Sequence, residues 1–109
     1  MQLTNFPLSA IDWSSVAPVE HKGETGLAYW RVQNIGAMRI RMVEYTPGYL
    51  ADHWCSKGHI VLCIEGDLIA EHQGGPQLAI TAGMSYLVAD NAEAHRWSTA
   101  HGAKVFIVD

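Results

Sequence analysis

The sequence predicts an all-β fold, a sandwich or barrel, and three observations carry that prediction. Apolar and polar residues alternate with a period of two over short runs. Glycine, proline, asparagine and aspartate punctuate the chain at roughly 8–12-residue spacing. No stretch carries the stripe of a long amphipathic helix, and no internal repeat is visible. With 109 residues and 12.0 kDa, the chain has room for a single domain over residues 1–109. About two-thirds of the unfolded surface would be buried, enough for a thin core.

Residues 1–26 are expected to form an N-terminal arm with turns at Pro7, Pro18, Gly23 and Gly26, packed onto the body through Ile11, Trp13 and Val16. Aromatic and β-branched residues make 27–33 a strand, and Asn34-Ile35-Gly36 supplies a turn. Next, Met38, Ile40 and Met42 alternate with Arg39 and Arg41. The arginine face reads as a solvated sheet face, with Arg41 the residue able to receive a carboxylate. Pro47-Gly48 ends that strand. Residues 60–64 are a continuous apolar run, which Glu65-Gly66-Asp67 is expected to close as a tight hairpin turn with Gly66 at positive φ. Segments 68–73, 78–80, 85–88, 95–98 and 105–108 complete a set of about eight or nine strands.

Composition excludes several classes. Seven basic against eleven acidic residues give a formal charge of −4, which argues against a nucleic-acid partner. The first residues lack a basic start followed by an apolar run, so no signal peptide is expected. No apolar run approaches the roughly 20 residues of a membrane helix. Two cysteines are too few for a disulfide scaffold, and a cytoplasmic location is the expectation.

The chemistry gathers around the histidines. His53 and Cys55 are one residue apart, so on a strand their side chains share a face, and His59 keeps that parity. His95 follows a separate turn, from which a neighbouring strand can return it to the same place. Three imidazoles and a thiol make an inner shell for one divalent transition metal, with zinc, iron or nickel the leading candidates.

At these residues the chain resembles the cupins. Their first motif runs from Gly to His-x-His, then Glu three or four residues on, then six residues and Gly. Here Pro47-Gly48 precedes His53-Trp54-Cys55, His59 follows after three residues, and Gly66 after six more. The second motif starts at Gly83, turns at Ala89-Asp90-Asn91 and reaches His95. Within the cupins, Asp52-His53-Trp54-Cys55 resembles the small bacterial "DHCW motif" group with its last two letters exchanged. Cys55 replaces the second His of the motif, His59 replaces the Glu, and the proline of the second motif is absent. The resemblance covers residues 36–108 and implies a jelly-roll β-barrel with His53, Cys55, His59 and His95 as metal ligands.

Other residues take their roles from position. Cys63 lies in the apolar run and reads as core. Trp54 has parity opposite to His53 and should face away from the metal, whereas Trp97 shares parity with His95 and can wall the pocket or pack the core. His21, His72 and His101 read as solvated. Glu44, Tyr45 and Tyr86 are the candidate acid–base groups. The function expected is that of a small-molecule metalloenzyme of dioxygenase, isomerase or lyase type, or else a non-catalytic module that binds a metal or small ligand. An open coordination position marks the first, and a saturated tetrahedral site the second. Four Trp, four Tyr and four Met exceed what a thin core hides, and a homodimer is expected.

Overall fold

The computed structural model describes residues 3–109; Met1 and Gln2, the first residues of the expected arm, lie outside the described residues. Nine strands form: β1 (Val19–Lys22), β2 (Leu27–Ile35), β3 (Met38–Tyr45), β4 (Tyr49–Leu50), β5 (His59–His72), β6 (Gln77–Thr81), β7 (Ser85–Val88), β8 (His95–Thr99) and β9 (Ala103–Val108). They curl into a jelly roll ordered β1-β2-β3-β9-β5-β8-β4, with β6 and β7 also pairing with β5 and every pairing antiparallel. In the N-terminal segment Asp12 caps a single 3-10 turn, Trp13–Ser15, and the Trp13 ring meets Phe106 edge-on at 6.2 Å.

The expected hairpin at Glu65-Gly66-Asp67 is not a chain reversal. β5 runs straight through it, and a register shift between Cys63 and Glu65 marks a bulge. The bulge lets one strand serve two layers. Its first half pairs with β7 and β9, its second with β6 and β8. Gly66 does hold a positive φ, +74°, and a Cβ there would stand 2.1 Å from the Gly102 carbonyl oxygen. The apolar run continues as a strand because its inward residues, Val61 and Cys63, are followed after the bulge by Leu68 and Ala70, all buried in one core.

The alternation in β3 has the expected period and the opposite facing. Arg41, Val43 and Tyr45 point inward and are buried, while Met38, Ile40 and Met42 lie on the outer face. The arginines are therefore not on a solvated face. Arg41 is 4% exposed, and its charge is tolerated because Asp109 meets it inside the barrel. The core also takes Val105 and Ile107 from β9, with Tyr86 and Trp97 closing one end. Among the described residues no helix is long and apolar enough to cross a membrane.

Candidate metal centre

Three of the four residues expected as ligands converge. Cys55, His59 and His95 offer ligand atoms that all lie within 4.8 Å of one another. Cys55 precedes β5 and is held against the start of β8 by a reciprocal backbone bridge: Cys55 N–H donates to the His95 carbonyl (2.7 Å) and His95 N–H to the Cys55 carbonyl (2.9 Å). His59 opens β5 on its inward face. His53 stands apart on the cavity rim, 74% exposed, with its Nδ1 2.6 Å from Asp52 Oδ1.

Both inner histidines are set in the tautomer that leaves Nε2 as the lone-pair nitrogen. His59 Nδ1 donates to Asp109 Oδ2 at 2.7 Å, and His95 Nδ1 donates to the Glu93 carbonyl at 3.0 Å. His59 Nε2 lies 3.6 Å from Cys55 Sγ. Tetrahedral coordination at ordinary zinc–sulfur and zinc–nitrogen bond lengths separates such a pair by about 3.6 Å. His95 Nε2 is buried and has no hydrogen-bond partner among the described residues. A lone pair orphaned in this way costs about 1–3 kcal/mol. A divalent ion would satisfy it, so the donor set fits a metal. Backbone N–H of Lys57 donates to Cys55 Sγ at 3.4 Å.

Burial depresses the His59 imidazole to about 4, although the hydrogen bond to Asp109 and its charge pull the other way. His59 is thus neutral at pH 7, as a ligand must be. Burial alone would raise the Asp109 carboxyl. The hydrogen bond from Arg39, the charge of Arg41 and the hydrogen bond from His59 outweigh that and hold it well below the usual carboxylate range. Its side chain is fully buried, and it takes Arg39 through both carboxylate oxygens, at 2.8 and 3.1 Å, and Arg41 at 2.8 Å. Sequence reasoning missed Asp109. The signal was its parity: Ala103, Val105 and Ile107 point inward, and Asp109 continues that register.

Cys55, His59 and His95 open onto a cavity of about 280 Å³. Its walls include Trp30, Tyr45, Tyr49 and Trp97, so Trp97 both lines the site and packs the core. Trp97 Nε1–H donates to Tyr45 Oη at 2.8 Å, and burial holds the Tyr45 phenol protonated, well above its ordinary range. Trp54 carries the Arg96 guanidinium over its ring at 4.5 Å. Neither of the other acid–base candidates lines this cavity. Glu44 is on the outer face of β3, near Arg31 and Lys104, and Tyr86 directs its hydroxyl to His72 Nε2 at 2.6 Å. His72 is accordingly half-buried and bonded on both ring nitrogens instead of solvated.

This curled antiparallel barrel, with its cavity and its His and Cys side chains in one mouth, has the jelly-roll fold of solved cupin-type proteins. Among solved structures it is similar to ectoine synthase from P. lautus (TM-score 0.75, 20% identity, covering 93% of this chain and 76% of that one). It is also similar to the EutQ protein of Clostridium difficile (0.74, 13%, 98% and 95%) and to a cupin-like protein from Thermotoga maritima (0.70, 17%, 90% and 79%). No family model and no curated sequence matches the chain.

Proposed function

We propose that this protein is a metal-dependent enzyme acting on a small molecule in the barrel mouth, with one divalent transition ion held by Cys55, His59 and His95. The observation that carries the reading is the buried, unpartnered Nε2 of His95 beside the Nε2 of His59 and the Cys55 thiol, which face each other at 3.6 Å. Three protein ligands leave a coordination position for substrate, which favours a catalytic over a structural role. Ectoine synthase shares the fold, which supports the enzymatic reading.

When bound, the ion would supply Lewis-acid or redox chemistry. The chain's own residues do the rest. Asp109 orients His59, and the Glu93 carbonyl orients His95. Trp30 and Trp97 exclude water from one side of the cavity, and Tyr45 offers a protonated hydroxyl to a bound oxygen atom. His53, paired with Asp52, belongs at the mouth, where it would accept a proton from substrate. Two free thiols, Cys55 and Cys63, suit a reducing cytoplasm. Elemental analysis of untagged protein purified without added metal tests the reading. About one zinc, iron or nickel per chain, lost in His95→Ala, supports it; a folded, metal-free protein that takes up none of the three overturns it.

A further inference from the structure

Four of the chain's seven lysine and arginine residues, Arg39, Arg41, Lys57 and Arg96, line the cavity beside Cys55, His59 and His95, and neither Asp nor Glu does. The concentration is local, since the whole chain carries a formal charge of −4. Two carboxylates answer these cations from outside the lining. Asp109 takes Arg39 and Arg41 and lies 3.9 Å from Lys57, and Glu71 takes Arg96 at 3.2 Å. Those four cations share two side-chain carboxylates, an excess of two positive charges. Arg41, 4% exposed, has an Nε–H with no partner among the described residues, and its guanidinium lies 4.4 Å from the Trp30 ring centroid. Asp109 and the Trp30 ring both favour this cation, but a buried Nε–H without an acceptor is costly for the protein alone. An anionic ligand offsets that cost. The remaining wall, from Trp30, Tyr45, Tyr49, Ala51 and Trp97, suits a carbon skeleton, and about 280 Å³ limits the ligand to a small one.

We propose that the cavity binds a small organic carboxylate, its anionic group met by Arg41 with Lys57 and Arg96 supplying the surrounding positive field. The inference rests on the metal reading only for what lies next to the bound ligand; the charge argument stands without the ion.

The test is a titration of the full-length protein as purified, with metal content assayed on the same sample. Acetate, lactate, malonate and succinate are compared with their neutral amides and with inorganic phosphate, using heat of binding and the fluorescence of Trp30 and Trp97. At least one carboxylate should bind 30-fold or more tightly than its amide, and more tightly than phosphate. Lys57→Gln and Arg96→Gln, at partly exposed positions, should each weaken it about three- to tenfold without moving the melting temperature. Arg41→Lys, which keeps the charge and loses the fork, should weaken it at least tenfold. The proposal falls if no carboxylate binds the folded protein, if the amides bind equally well, if phosphate binds more tightly, or if neither glutamine variant has an effect. Carboxylate binding in a sample that takes up no metal would overturn the metal reading alone, and metal without carboxylate binding would overturn this one alone.

Discussion

Asp109 joins the two kinds of chemistry in this barrel, because one carboxylate holds both a ligand imidazole and two arginines. Asp109→Asn keeps its shape and removes its charge. The variant should lose about 3 kcal/mol of stability, because Arg41 stays buried without a counter-charge, and chemical denaturation will measure this. It should also bind metal about 10–100-fold more weakly, since His59 loses the carboxylate that fixes its tautomer. His59 itself gives a pH dependence. Its imidazole titrates near 6.5 in the unfolded chain and near 4 in the fold. Below pH 6.5 the unfolded state takes up a proton that the folded state refuses, so unfolding gains as pH falls. The metal-free protein should therefore keep this contribution above pH 6.5 and lose it progressively towards pH 4. Melting temperatures across that range should fall less in His59→Gln. Motif spacing and parity made the cluster of Cys55, His59 and His95 legible in the candidate site, but they also drew in His53, which stands on the rim. Asp109 was not, because a single carboxylate at the end of a strand reads as a turn residue unless its buried partners are known. Those partners, Arg39 and Arg41, are 70 and 68 residues away.

At the scale of elements, period two identifies strands but not which of their faces is inward. In β3 both faces were plausible by composition, and the apolar one went outward because the inward arginines find Asp109 just past the end of the adjacent strand β9. A similar limit applied to β5. Glycine between two apolar runs is compatible with a reversal or with a bulge, and only the neighbours distinguish them. The close approach of Gly102 to Gly66 makes the bulge intolerant of any side chain. Gly66→Val should destabilise the protein by at least about 2 kcal/mol, from positive φ and the clash together. An unchanged denaturation midpoint would mean that the two backbones do not meet there.

For the whole molecule, the outer face of the β3-β9-β5 sheet is apolar away from the row Glu44, Lys104 and Glu65, where an exposed antiparallel sheet is ordinarily polar. Ile60, Leu62 and Ile64 on β5 are 47%, 41% and 39% exposed, and Leu87 on β7 is 70% exposed. We expect a second copy to cover this face, since an uncharged patch is self-complementary and a twofold pair is the commonest closed assembly. Light scattering at micromolar concentration should give about twice the 12.0 kDa chain mass; Leu62→Lys should return it to the monomer value. Chelation should lower the melting temperature of the metal-loaded protein without changing this mass, because the proposed ion would bind the native state, away from this outer face.

The position of β9 also governs how the protein reaches this state. It is wedged between β3 and β5, both far from it in sequence, so the barrel is built on non-local pairing. Such topologies pass through a slow search and fold in milliseconds to seconds. Asp109 aligns with Arg39 only after β9 has inserted. High-affinity metal capture during refolding should therefore lag behind early strand formation and keep time with β9 docking. A metal-sensitive signal in stopped-flow refolding would then report the last step of folding, not the first collapse.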